Sequence, residues 1–290
     1  MKSLLNKLVL GTAQIGLEYG INNKNNKPNK KEALEIFDIA FKNGIKIFDT
    51  ASAYGSAEEI LGEFCEKNNI FEKIKIITKV SQDISAQLNE SLARLKMDCV
   101  EGCLLHKPED IKNKKIVEAL KKIKKLGLAE NIGVSVYEPK DAVYAAKMEE
   151  IDYIQIPYNI FDQRLDKTEF FELAKKNGKK VFARSVFLQG LLLMPEEKIP
   201  AHLKEAKPYL KKMDKIIAKH NLSRKQSVLH FVLENKNIDY VVFGTDSADQ
   251  LKEIIDISNQ KIDFNQCRKE LENEFKEVPK YLISPNLWQK

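Results

Sequence analysis

Side chains able to hold or move a proton stand where short apolar runs of the sequence end. Asp49 closes residues 45–48, Thr78-Lys79 follows residues 74–77, and His106 closes residues 100–105. Tyr54 lies five positions past Asp49, in the loop Thr50-Ala51-Ser52-Ala53-Tyr54-Gly55. A lysine ammonium next to a phenol favours the phenolate and lowers the tyrosine pKa toward the working range of a general acid. A carboxylate beside the amine keeps that ammonium charged. An imidazole at the same place can orient a carbonyl oxygen or stabilise charge growing on it. Taken singly, Tyr54 reads as a loop aromatic, Asp49 as a turn cap, Lys79 as a solvated strand end and His106 as a core histidine. The first three of these readings do not predict an acid, an amine and an imidazole at the ends of successive apolar runs.

To converge, these residues must sit on neighbouring parallel strands, which lie about 4.8 Å apart. Eight short apolar runs are present, at residues 8–10, 45–48, 74–77, 100–105, 132–136, 153–156, 181–183 and 240–243. Segments with apolar residues at three- and four-residue steps separate them, at 31–42, 58–68, 85–96, 116–126, 141–149 and 168–176. Successive runs start roughly 21 to 37 residues apart, room for one crossover helix each. The last gap, about sixty residues, holds two helical segments near 209–220 and 224–234 and reads as an insertion. This alternation predicts a (β/α)8 TIM barrel in a single domain spanning 1–290. Helices at 251–257 and 267–276 cover the outside, and a tail at 279–290 lies outside the barrel proper. An open doubly wound sheet is the structural alternative, but Gly11-Thr12-Ala13-Gln14-Ile15-Gly16 supplies no GxGxxG turn.

The chain has 290 residues, 43% hydrophobic and 31% charged, which excludes disordered and low-complexity classes. Its apolar runs are far short of the twenty or so residues a bilayer span needs. Lys7 interrupts the apolar part of residues 2–17 and Glu18 follows, so a cytoplasmic location without a targeting segment is expected. Net charge is +6, but only five of the cations are arginine, the residue that reads phosphates and base edges by paired bonds. No nucleic-acid partner is expected, and Lys121, Lys122, Lys124 and Lys125 read as a solvated helix face. Cys65, Cys99, Cys103 and Cys267 form no metal-ligand spacing, so no metal is expected. Oligomeric state stays open.

The set Phe48-Asp49-Thr50-Ala51, Tyr54-Gly55, Thr78-Lys79 and Leu104-Leu105-His106 resembles the Asp/Tyr/Lys/His tetrad of the aldo-keto reductases. Further similar stretches are Ile132-Gly133-Val134-Ser135, Gln155 with Pro157-Tyr158-Asn159, Gly190-Leu191-Leu192, and Phe243-Gly244-Thr245 with Gln250-Leu251. The similarity extends from Leu10 to about Ile257. It implies reduction of a small-molecule carbonyl to an alcohol by a nicotinamide cofactor, with Tyr54 as proton donor, Asp49 and Lys79 tuning it, and His106 positioning the substrate. Ser135 and Gln155 match the residues that hold the nicotinamide carboxamide. Ser185, Leu188 and Gly190 match the pyrophosphate segment. Gly11, Thr12, Arg184, Gly244, Thr245, Ser247 and Gln250 complete the implied cofactor set. NADP(H) is the first choice and NAD(H) the alternative. The segment Gly16-Leu17-Glu18-Tyr19-Gly20-Ile21 resembles a branch acting near sugar pathways, which adds sugar-derived carbonyls to the substrate classes.

The sequence departs from that pattern in places. Val136 stands where an Asn often contacts the carboxamide, and Arg184 where a Tyr or Trp often stacks under the nicotinamide. A planar guanidinium can stack on a ring, and it can equally meet an acidic substrate or a phosphate. Asp246 and Asp249 stand where cations usually grip the adenosine 2′-phosphate, and Ile254 replaces an adenine-facing Asn. Two other functions stay open: a Schiff-base enzyme using Lys79, and a non-catalytic nucleotide-binding barrel serving as a redox sensor or regulatory module. Tyr19, Tyr137, Tyr158, Phe161, Phe187 and Trp288 are the candidate aromatic walls of a substrate pocket.

Overall fold

Eight parallel strands close into a barrel in sequence order in a computed structural model that describes residues 4–21 and 27–288. The strands are β1 (Leu8–Gly11), β2 (Ile47–Asp49), β3 (Lys75–Val80), β4 (Val100–Leu105), β5 (Ala129–Ser135), β6 (Tyr153–Pro157), β7 (Lys180–Arg184) and β8 (Tyr240–Gly244). Each expected run became a strand, with ends shifted by a few residues. Gly11 pairs with both Asp49 and Gly244, which closes the ring. After β1 come α1 (Ala13–Gly16) and α2 (Lys30–Lys42), and then α3 (Ala57–Asn68), α4 (Ile84–Leu95), α5 (Lys114–Lys125), α6 (Pro139–Lys147) and α7 (Phe170–Lys176). The sequence continues with α8 (Lys207–Lys219), α9 (Arg224–Leu233), α10 (Ala248–Asn259), α11 (Asn265–Glu274) and α12 (Lys280–Ile283).

Side-chain alternation divides the apolar residues into two cores. Val9, Ile77, Leu104, Tyr153, Phe182 and Val242 fill the barrel interior as one cluster. Residues of opposite parity, among them Leu8, Leu10, Phe48, Ile76, Cys103, Ile154, Val181 and Val241, face the helices and join the larger outer core. Helix starts are set locally. Asn29 accepts from the Glu32 amide while the Glu32 carboxylate accepts from the Asn29 amide, and Ser223 and Gln226 repeat this box at α9.

The segment between β7 and β8 holds the two expected helices. Of these, α9 packs beside α10 and onto β8 as the crossover of that unit, and α8, with the short 3-10 turns before it, is additional. Two apolar helices in a sixty-residue gap look alike in sequence; which of them lies on the barrel depends on contacts with α10. Much of the tail is anchored, with Leu282 and Ile283 buried. Gln289 and Lys290, at the end of that tail, and Lys2 lie outside the described residues. Among the described residues no helix is long and apolar enough to cross a membrane.

Candidate active site

The same alternation that buries Ile77, Tyr153 and Phe182 turns the residue two positions later into the barrel mouth. These residues are Lys79, Gln155 and Arg184, joined by Asp49 and Ser135 at the ends of β2 and β5. Ser135 lies opposite Gln155 in the register, so their side chains meet. The Ser135 hydroxyl donates to Gln155 Oε1 at 3.1 Å, and Gln155 Nε2 donates to Asp49 Oδ1 at 2.7 Å. Lys79 Nζ donates to Asp49 Oδ2 at 2.6 Å and to the Thr50 carbonyl at 2.9 Å. One bonded path therefore runs Ser135–Gln155–Asp49–Lys79 across the mouth. The tyrosine ring centroid lies 5.0 Å from Lys79 Nζ, and the His106 ring stands edge-on to it with centroids 5.8 Å apart.

Tyr54 belongs to no strand, so the loop must be held from both sides. On one side, Thr50 N donates to the Ile77 carbonyl at 2.8 Å, and the Ser52 amide and hydroxyl both donate to the Lys79 carbonyl. On the other side the β1 loop packs without side chains in between. A Cβ on Gly16 would lie 1.7 Å from the Tyr54 carbonyl oxygen. Gly55 adopts φ +52°, and a Cβ there would come within 2.5 Å of the Gly16 carbonyl oxygen. Below the lysine, Glu58 of α3 is buried, accepting from Thr78 Oγ1 at 2.6 Å and from Arg94 Nε at 2.9 Å. Glu58 was not legible as a site support, since a glutamate in a helix ordinarily reads as solvated.

Electrostatics at the mouth differ from the expectation in one respect. Burial pushes the Tyr54 phenol up, by more than the Lys79 charge pulls it down. The expected net lowering of this tyrosine is therefore not found, because so little water reaches the phenolate. Burial acts to lower the Lys79 pKa, but the Asp49 carboxylate and the Tyr54 phenol together outweigh it and hold the ammonium above its ordinary range. Burial, helped by the Lys79 charge, takes His106 down to about 4, so its imidazole is neutral at neutral pH. Asp49 and Lys79 thus form a neutral buried pair beside a protonated phenol and a neutral imidazole.

A cavity of about 310 Å³ opens over this layer. Asp49, Tyr54 and His106 line it at one end, and Thr245, Asp246, Gln250 and Ile254 at the other, beside β8 and the start of α10. Gly11, Ser135, Gln155, Arg184, Ser185, Gly190 and Gly244 also reach it, whereas Lys79 lies behind Asp49. Thr12 and Leu188, expected with the cofactor set, are fully buried behind the wall, and Ser247 caps α10 by accepting from the Gln250 amide. Of the aromatic candidates, Tyr19, Tyr137 and Phe187 line the cavity. Tyr158 and Phe161 instead pack in the outer core, stacked with Phe231 and tilted on Phe275 respectively. Trp288 donates its indole N–H to the Tyr281 carbonyl and is not part of the cavity wall. Gln14, Gln189, Lys225 and Leu229 line the cavity without having been singled out, two of them from the α9 crossover. Arg184 spreads its guanidinium over the Tyr137 ring at 4.3 Å and donates to Ser135 Oγ, Ser185 Oγ and the Val136 carbonyl.

The chain is 26% identical to the uncharacterized oxidoreductase YqkF of Bacillus subtilis, over 89% of this chain and 92% of that protein. It is 28% identical to the glyoxal reductase of the same organism, over 71% of each. The fold superposes on aldo-keto reductase AKR11C1 of Bacillus halodurans in its holo form with a TM-score of 0.77 at 21% identity, covering 96% of this chain and 95% of that one. The model of the Aldo/keto reductase family matches residues 7–269, and the chain belongs to that family of oxidoreductases.

Proposed function

We propose that the protein is an NAD(P)H-dependent carbonyl reductase acting on small aldehydes or ketones, with Tyr54 as the proton donor. The observation that carries this reading is the hydrogen-bonded path from Ser135 through Gln155 and Asp49 to Lys79, with Tyr54 and His106 beside it in one cavity. The fold family's nicotinamide cofactor fits these residues. Gly11 and Gly244 add no side chain of their own at the β1/β8 side of the mouth, where the Gln14 amide packs against Gly244, and Ser135 and Gln155 offer a hydroxyl and an amide, the complement of a carboxamide. Ser135 and Gln155 would hold that carboxamide, and Ser185 and the segment through Gly190 would bind the pyrophosphate. A bound reduced nicotinamide supplies the hydride.

The protein's own residues handle the proton. Raised by burial, the Tyr54 phenol is fully protonated at neutral pH and donates to the carbonyl oxygen as charge grows on it. Lys79 stabilises the phenolate left behind, and Asp49 keeps Lys79 cationic throughout. His106, being neutral, is able to hydrogen-bond the same carbonyl oxygen without adding a charge. The Asp49 contact also argues against a Schiff base at Lys79, since a permanently protonated amine is no nucleophile.

NADP(H) is our first choice of cofactor, on family habit. Asp246 in the cavity wall favours NAD(H), because a carboxylate there opposes a 2′-phosphate. Titrating both cofactors by fluorescence quenching decides between them, and tenfold tighter NADH binding overturns the choice. Turnover is tested with a panel of aldehydes, ketones, dicarbonyls and oxidised sugars, following loss of reduced-nicotinamide absorbance. Tyr54→Phe lowers kcat by a factor of about 10² to 10⁴ and leaves cofactor binding intact. Normal turnover by that variant refutes the assignment of the acid. A bound cofactor that no carbonyl oxidises would instead support the redox-sensor reading.

A further inference from the structure

Arg184 stands apart from the other arginines. Arg94, Arg164, Arg224 and Arg268 each lie within ion-pair distance of a carboxylate. Among the described residues Arg184 has no such partner, although it lines the catalytic cavity and is only partly exposed. Its neighbours do not neutralise it. Asp49 is committed to Lys79 at 2.6 Å, the buried Asp162 carboxylate, which feels the Arg184 charge, is committed to Arg164 at 2.8 Å, Ser135 and Ser185 are hydroxyls, and Val136 offers a backbone carbonyl. The reacting end of the cavity thus keeps one positive charge without a carboxylate of its own in ion-pair contact. That charge reaches the reacting groups, since it favours both the Tyr54 phenolate and the neutral His106.

The guanidinium is also poorly placed to take a carboxylate in a two-pronged grip. Each of its three nitrogens already donates within the protein, and Tyr137 covers the plane at 4.3 Å. It acts on a ligand chiefly as a fixed cation, one bond away from Ser135. Under the reading proposed above, Ser135 is where the nicotinamide carboxamide is held, and this inference rests on that reading. A nicotinamide ring is uncharged when reduced and cationic after it has given up its hydride.

We propose that Arg184 makes the protein discriminate between the two redox states of its cofactor, binding the reduced form about tenfold more tightly than the oxidised form. In a partly desolvated site, two like charges held close repel enough to produce a difference of that order, and tenfold corresponds to about 1.4 kcal/mol. The binding preference also hastens departure of the oxidised cofactor, a step that often limits turnover. Reduced and oxidised forms carry the same phosphates, so any contact between Arg184 and a phosphate cancels in the ratio of their dissociation constants.

The test uses the full-length protein and isothermal titration calorimetry, with both redox states of whichever dinucleotide binds. Wild type should show a ratio of oxidised to reduced dissociation constants near ten. Arg184→Met and Arg184→Gln should bring it to about one, chiefly by tightening the oxidised form, while Arg184→Lys keeps most of it. Thermal melting confirms that each variant is folded, and Arg184→Lys carries the test if the neutral variants are not. A ratio near one in wild type overturns the inference, and so does its persistence in the neutral variants. Equal weakening of both forms also overturns it, assigning Arg184 to a phosphate. If wild type binds neither form, the functional reading itself falls. Tight but indiscriminate binding sinks only the role of Arg184.

Discussion

His106 offers a quantitative check on how dry the barrel mouth is. The imidazole titrates at about 4 in the folded protein, against 6.5 for the free side chain. Above pH 6.5 it is neutral in both states and contributes no pH dependence. Between 6.5 and 4 the unfolded chain binds a proton that the folded chain refuses, so stability falls as pH falls through that window. At about 1.4 kcal/mol per unit, the full drop amounts to about 3 kcal/mol. Asparagine at this position keeps a polar group at the mouth without a titrating proton. Urea unfolding of wild type and His106→Asn should be followed from pH 8 to pH 4. Carboxylates titrate in both proteins, so their contribution cancels in the difference. The expected result is that wild type loses about 3 kcal/mol more than the variant over this range. Parallel stability curves would refute the argument, and would mean that water or a counter-charge reaches the imidazole.

Other outcomes follow from the same geometry. Gly16→Ala places a methyl group 1.7 Å from the Tyr54 carbonyl oxygen, so the loop must move; we expect at least a hundredfold loss in kcat with a modest loss in stability, read by steady-state kinetics and thermal melting. Lys79→Met leaves Asp49 buried without its cation and should cost about 3–5 kcal/mol in chemical denaturation, whereas an exposed pair such as Lys121–Glu118 should cost under 1 kcal/mol when broken. Glu58→Gln weakens the contact with Arg94 and should destabilise the protein by about 1–3 kcal/mol, measured by urea unfolding. Trp288→Phe should leave kcat/KM for any accepted carbonyl within about twofold, because the indole bonds Tyr281 and stays clear of the cavity wall.

Strand order and strand content were legible because they follow from local pattern. A run of β-branched and aliphatic residues bounded by polar ones extends, a three-and-four repeat coils, and alternation of the two closes only a few topologies. Asp49, Lys79 and His106 could be located for the same reason. Residues at or next to the carboxyl end of a strand of an α/β barrel lie close to the mouth, so their types already indicate possible chemistry. Period two likewise places Ser135, Gln155 and Arg184 at that rim.

What the sequence could not specify depends on groups far apart in the chain. The Gln155–Asp49 bond joins positions 106 residues apart, and Gly16 meets Tyr54 only once two loops are packed together. Tyr158 and Phe161 have the same composition signal as Tyr137 and Phe187, yet burial sends one pair to the core and the other to the cavity. The direction of the Tyr54 shift is a balance between solvent exclusion and a neighbouring charge. Spacing indicates the charge, but the exclusion of water is a property of the closed barrel and not of any segment of it.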